Sequence, residues 1–532
     1  MKQPSDNISL SEFPATSRDV AAVSAPPQTT YPPPRTVAIV MIALYLAMFL
    51  VALDRTIIAT AVPKITDEFN SLNDVGWYGS AYLIASCASQ LLIGRFYTFY
   101  PIKWVFLTTI ILFEIGSAVC GAAPTSTALI VGRAIAGLGS AGIFSGAIVI
   151  MVPLVPLDKR SVYQGALGAI FGLSSVIGPL LGGAFTKDVS WRWCFYINLP
   201  IGAVSIVVIA LILHLPPAPR APASPMEKTK RLDPLGTLVF LPSMICLLLA
   251  LQWGGTTYAW GSGRVVALLV VFAVLLSAFV VIQVRQKENA TVAPHVFAQR
   301  SILSGFVFSM CIGSAMLVCL YFLPIWFQAI KGASTLASGI MLLPFILSLV
   351  VASILAGVFT AKVGYYTPLM IACAVLLSIG TGLMTTFTPR TAHPSWIGYQ
   401  VIFGFGLGMG MQQPGMAAQT TLAPQDVSVG VSLMPFAQSL GGAIFLSVAE
   451  NIFTNRLASG LQRVAGLDPA VVINSGATNL RDVVPAEKLG DVLAVYNDAI
   501  IVAFYVAVAW ACFAIVPALT MEWRSVKGEA RQ

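Results

Sequence analysis

The chain has 532 residues, 57% of them hydrophobic and only 10% charged, with a mean hydropathy of +0.83. A soluble protein carries about 25% charged residues, so this composition cannot cover a water-facing surface of that size. Soluble enzymes, disordered chains and fibrous proteins are excluded, and apolar runs recurring from end to end define an all-α polytopic membrane protein. An outer-membrane barrel would show short alternating segments instead. The net charge of +8 is scattered among the connections, which fits membrane sidedness and gives no basis for nucleic-acid binding. The eight cysteines lie singly with no CxxC, so neither a disulfide framework nor a zinc site is expected. His214, His295 and His393 sit in three different connections and offer no metal-ligand pair.

Residues 1–35 are polar and rich in Ser, Thr and Pro, and are expected to form a disordered cytoplasmic tail with no signal peptide. Fourteen helical spans follow, at about 37–62, 75–94, 103–122, 125–148, 162–183, 195–215, 234–253, 264–284, 302–327, 337–360, 366–386, 396–417, 428–449 and 499–519. The tails and the even-numbered connections hold most of the Lys and Arg, which places both chain ends in the cytoplasm. The Pro-rich, basic stretch 216–233 reads as a cytoplasmic linker, and 450–498 as an outer loop. A cytoplasmic tail, 520–532, closes the chain.

Gly137-x-Gly139-x-x-Gly142 in span four aligns with Gly404-x-Gly406-x-Gly408-x-Gly410 in span twelve, and the same offset brings Asp158 near Asp426. Two related six-helix bundles, 36–215 and 285–519, are therefore expected, with two inserted helices over 234–284. Duplicated halves are how many transporters build one central site and rock around it. In span five, Ser161, Gly165, Gly168, Gly172, Ser175, Pro179 and Gly182 recur at steps of three and four, which puts compact residues along one helix face. Such a face admits another backbone closely.

Charged groups inside spans are costly and are functional candidates by default. Asp54, Arg133 and Glu114 all fall about 12 Å below the outer boundary at 1.5 Å per residue, a common depth at which charges can pair. Arg55 points away from Asp54 and is expected to snorkel outward.

Gly165-x-x-Gly168, continuing through Gly172 to Gly178-Pro179-x-x-Gly182-Gly183, resembles the antiporter motif of the major facilitator superfamily. The stretch Trp191-Arg192-Trp193-Cys194-Phe195-Tyr196-Ile197-Asn198-Leu199-Pro200-Ile201-Gly202 resembles the entry to span six in its fourteen-span drug:proton antiporter branch. Leu53-Asp54-Arg55-Thr56-Ile57-Ile58 is similar to that branch's first-span motif, and Gly132-Arg133-Ala134-Ile135-Ala136-Gly137-Leu138-Gly139 to its fourth-span motif. The wording resembles fungal members, many of which export toxins or drugs. One motif departs: between spans two and three, Gly94 and the basic Lys103 are kept, but Thr98 stands where the family has an acid. The gating ascribed to that loop in relatives is then in doubt, and Arg95 and Lys103 are left to topology.

The resemblance implies a major facilitator fold and a proton-coupled efflux transporter exporting organic small molecules such as a toxin, secondary metabolite or drug. Asp54 and Arg133 would carry the coupling proton, since burial and a neighbouring cation act on a carboxyl in opposite directions. Glu114 is the second coupling candidate, although the family's fold places span three outside the cavity, which favours a structural role. The second half offers Tyr321, Phe327, Gln328, Gln400, Gln412 and Gln413 for a large, amphipathic, mostly neutral ligand. No cofactor or metal is expected, the proton gradient being the energy source, and the protein is expected to act as a monomer in the plasma membrane, with a vacuolar or vesicular membrane as the alternative. Uptake of an iron chelate or nutrient, and a non-transporting sensor on the same fold, are the competing readings. An enzyme is not expected, because no catalytic constellation or phosphate-cradling loop occurs.

Overall fold

The computed structural model describes residues 31–71, 74–215, 232–255, 257–464 and 480–527, with residues 469 and 472. The expected tail up to residue 30, the linker over 216–231 and the last five residues lie outside the described residues. Among the described residues the chain is built of helices without a β-strand. In chain order the long helices are α1 (Pro34–Phe69), α2 (Val75–Phe99), α3 (Ile102–Gly121), α4 (Ser126–Leu154), α5 (Leu157–Asp188), α6 (Trp193–Ile212) and α7 (Pro234–Trp253). They continue as α8 (Gly263–Gln286), α9 (Arg300–Ala329), α10 (Thr335–Val363), α11 (Thr367–Met384), α12 (His393–Gly410), α13 (Val427–Leu461) and α14 (Ala486–Thr520).

Twelve of these are long and apolar enough to cross a membrane. The expected count of fourteen is not met on those terms, because α2 and α12 fall outside the twelve. Both form helices where spans two and twelve were expected, but α2 carries Ser, Gln, Tyr and Arg side chains, and α12 has only 18 residues, five of them glycine. The connection expected over 450–498 is also shorter. Helix α13 runs on to Leu461 and α14 begins at Ala486, so polar turns extend both helices past their apolar stretches.

The glycines of the internal repeat make equivalent contacts in the two halves. Gly137 on α4 lies against the Tyr82 carbonyl of α2, and Gly404 on α12 against the Phe345 carbonyl of α10. Gly139 faces α3 at Thr109 and Phe113, whereas Gly406 faces α11 at Leu376 and Leu377. Helices α2, α3 and α4 thus correspond to α10, α11 and α12. Absence of a side chain is what permits these approaches, since any Cβ would strike backbone or a rigid neighbour. The inserted pair sits at the side, with α7 against α2 and α13 through Trp77–Trp253 and Phe240–Phe436 ring contacts and α8 outermost.

Lipid tails are as apolar as leucine, so close packing rather than the hydrophobic effect holds such helices together. Helix α5 shows this most plainly. At the end of the bundle where Lys103, Lys159 and Lys362 lie, hereafter the basic end, Gly165 and Gly168 pack on Ser353 of α10, and Gly357 of α10 packs on Ser161. Toward the other end the same helix turns to α1, where Gly178 meets Thr56 and Gly182 meets Thr60 and the Ile57 carbonyl. Helix α5 therefore bridges the two halves. Gly183 differs: a Cβ there would meet nothing within 4 Å, so it is not part of the packed face.

A Cβ at Gly165 would lie 2.5 Å from the Ser353 carbonyl oxygen, and one at Gly182 2.6 Å from that of Ile57. Gly165→Leu and Gly182→Leu are expected to lower stability by about 1–3 kcal/mol each through overpacking. Gly183→Leu should stay within about 0.5 kcal/mol of the parent. Thermal unfolding of the detergent-purified variants checks this, and equal shifts for all three would show that α5 is not tightly packed.

Candidate functional site

At the centre of the first half, Asp54 of α1 and Arg133 of α4 form a direct ion pair, with Arg133 Nη1 at 2.5 Å from Asp54 Oδ2. Asp54 is 0% and Arg133 1% exposed. Two further helices complete the cluster. Arg133 Nε donates to the Tyr78 carbonyl of α2 at 2.8 Å, and Asn198 Nδ2 of α6 lies 3.4 Å from Asp54 Oδ1 while donating to Ser117 Oγ of α3 at 3.1 Å. The Arg133 guanidinium also lies over the Tyr82 ring, 4.4 Å from its centre. Neither charge is left bare, which is the condition for holding ions in a low-dielectric interior.

Glu114 stands apart from this pair. Its carboxylate is buried between α3 and α6, directly above Gly202, and neither oxygen has a hydrogen-bond partner. The span-six motif thus serves three places at once: Gly202 makes room for Glu114, Asn198 approaches Asp54, and Trp191 and Arg192 hold Glu68 at the end of α1, at 2.6 Å and 2.9 Å.

A cavity of about 550 Å³ opens between the halves, and neither Arg133 nor Tyr82 lines it. Trp77 and Trp253 stand at its mouth, and it reaches inward to Phe144, Phe171 and Met411. Arg55 lines it, its guanidinium 5.5 Å from the Tyr82 ring centre. The expected outward snorkelling of Arg55 is therefore corrected: its helix face turns into the cavity instead of toward a surface. On the second-half wall lies Glu450, facing the Tyr321 hydroxyl. The basic end beyond the cavity is closed by the α5–α10 contact and by Gly94 packed on Ser432 of α13.

Of the six second-half residues picked as ligand contacts, none lines this cavity. Tyr321 is 44% exposed and meets the cavity wall through Glu450. Phe327 is enclosed by Trp326 and Trp396, and Gln328 donates to Ser338. Gln400 donates to the Met341 carbonyl of α10, the uncharged counterpart of Arg133 reaching α2. Gln413 pairs with Thr360, while Gln412 lies near Gly168. In the loop between α2 and α3, Thr98 bonds its own helix at Gly94, and Lys103 Nζ donates to the Ala210 carbonyl of α6 at 2.6 Å. Arg95 does more than set topology: it is buried, lies over Phe99 and donates to the Asn289 carbonyl at 3.1 Å. Three positions went unnoticed in sequence. Tyr82 and Asn198 carry no charge to flag them, and Glu450 was placed in a loop one residue past the expected end of span thirteen.

A helical bundle of two repeated halves around a cavity, with an ion pair at membrane depth, defines a membrane transporter and not an enzyme. The family model of the Major Facilitator Superfamily matches residues 44–446, and the chain belongs to that superfamily. It is 54% identical over 94% of its length, and 90% of the relative's, to the MFS-type transporter VdtG of Byssochlamys spectabilis. It is 52% identical to the rubrofusarin-specific efflux pump aurT of Gibberella zeae, covering 94% of this chain and 92% of that one. With the efflux pump aflT of Aspergillus parasiticus the identity is 50%, over 92% and 96%. Among solved structures, the proton:xylose symporter XylE matches with a TM-score of 0.57 at 15% identity, covering 92% of this chain and 95% of that one. The human organic anion transporter MFSD10 matches at 0.58 and 14%, covering 90% and 100%. These two bear on the fold alone.

The ion pair makes a measurable forecast. Arg133→Met leaves the Asp54 carboxylate buried without its countercharge and should cost about 3–5 kcal/mol. Adding Asp54→Leu removes the stranded charge, so the double variant should unfold at a higher temperature than Arg133→Met alone. A double variant as unstable as the sum of its singles would mean that the pair is energetically uncoupled.

Proposed function

We propose that this protein is a proton-coupled efflux transporter, an antiporter that exports organic small molecules of the secondary-metabolite, toxin or drug kind. The observation that carries the reading is the buried Asp54–Arg133 pair, whose arginine shares the Tyr82 ring with the cavity cation Arg55. A carboxylate whose one ion-pair partner among the described residues is an arginine is a group whose protonation rearranges its neighbours. Once protonated, Asp54 releases Arg133, and the Tyr82 ring that both arginines approach carries that change toward Arg55 on the cavity wall. The names of its relatives, several of them efflux pumps, support the outward direction.

In this reading both chain ends are cytoplasmic, the basic end faces the cytoplasm, and the cavity opens outward. The protein works as a monomer in the plasma membrane with the proton gradient as its energy source. Helix α5 slides or parts from α10 at the basic end while its contact with α1 is kept. Glu114, unpartnered and away from the cavity, is structural.

Profiling which small molecules accumulate in cells lacking the gene identifies the cargo. Inside-out vesicles with an acidic lumen should then concentrate it. Asp54→Asn should abolish this uphill transport while the protein still reaches the membrane, and Glu114→Gln should retain most of it. An Asp54→Asn protein that pumps uphill normally would remove the site from the mechanism.

A further inference from the structure

Arg55 faces the cavity without an ion-pair partner among the described residues of the first half. Asp54, its sequence neighbour, is committed to Arg133 and Asn198, and Arg55 Nε is buried without an acceptor among the described residues. Glu450, the carboxylate on the opposite cavity wall, instead faces the Tyr321 hydroxyl. A buried N–H donor without an acceptor is unfavourable until one arrives. The walls around it are aromatic: Trp77 and Trp253 meet edge to face at 6.1 Å, and Phe144 and Phe171 at 6.0 Å.

We infer that the cavity is a binding site for planar aromatic compounds bearing one acidic oxygen, a phenolate, enolate or carboxylate, with Arg55 as its anchor. The guanidinium fork matches two lone pairs of such an oxygen group, while the Trp and Phe edges take the ring. Glu450 sets polarity. It repels the anionic end and leaves the far end of the ligand to a neutral hydroxyl donor, so one orientation is favoured. This inference rests on the efflux reading only in taking the cavity as the cargo site.

Three naphthalene probes of similar shape test it by titration calorimetry on purified protein in nanodiscs: 2-naphthoate, the neutral 2-naphthylmethanol and the cationic 2-naphthylmethylammonium. The anion should bind at least about tenfold more tightly than the alcohol, and the cation most weakly. Arg55→Gln should erase the preference for the anion while leaving the alcohol's affinity unchanged, and Arg55→Lys should keep part of it. Glu450→Gln should not weaken anion binding. Equal affinity for anion and alcohol, failure of the anion to bind, tighter binding of the cation, or a preference that survives Arg55→Gln each overturns the assignment. Export restored to deletion cells by the wild-type gene is scored separately, so loss of the anion preference with export intact would sink this inference and leave the efflux reading standing.

Discussion

A charge inside a bilayer must be neutralised by its immediate neighbours, because no water is available to do so. That constraint shapes the first half of this protein. The Asp54–Arg133 pair joins α1 to α4, the Arg133 Nε bond adds α2, and Asn198 draws in α6 with a second bond to α3. Five helices are therefore placed in register by one ion pair and its satellites. The second half repeats the packing without the charge, with Gln400 standing where Arg133 would be and reaching the Met341 carbonyl of α10. A neutral amide fixes helices as well as an arginine does, yet it has no proton to exchange. The charge asymmetry of the two halves is the physical basis on which we propose that energy coupling lies in the first.

Packing supplies the second constraint. With no hydrophobic force between helices in lipid, backbones must approach closely, and glycines are placed where they do. The α5 face divides its partners along its length, with α10 at the basic end and α1 toward the other. Hydrogen bonds reinforce the α1 contact, from Tyr45 to the Tyr163 carbonyl and from Thr56 to the Ser174 carbonyl. At the α10 contact no comparable side-chain bond occurs among the described residues. An interface of small residues with few bonds across it is one that can part at low cost. That difference within one helix accounts for a bundle closed at the basic end and open at the cavity mouth.

Much of this was readable from sequence, and the failures have physical causes. Apolar run length located every long helix, because a membrane imposes that length directly. Two helices nonetheless lack the apolarity of a free-standing span, since α2 lies in the interior and carries polar side chains toward the cavity. Depth arithmetic brought Asp54 and Arg133 together because a helix rises uniformly along its axis. It could not reveal that Arg55 turns into a cavity, since rotation relative to a distant helix is a tertiary property. Glu450 was overlooked for a related reason: a charge at the edge of an apolar run reads as the start of a loop, whereas here α13 continues for about three more turns to Leu461. The glutamines and aromatics of the second half were chosen by residue type alone, and type does not say which helix face meets the cavity. Phe327 and Gln400 face the packed interior of their own half instead.

The central claim is that Asp54 exchanges a proton while held against Arg133. Infrared difference spectroscopy of the purified protein, comparing the cargo-bound with the cargo-free form, reads a change in carboxyl protonation directly. The account predicts a carboxyl difference band in the wild type and in Glu114→Gln that is missing from Asp54→Asn. A difference band that persists unchanged in Asp54→Asn would contradict it, as would a wild-type difference spectrum with no carboxyl band at all.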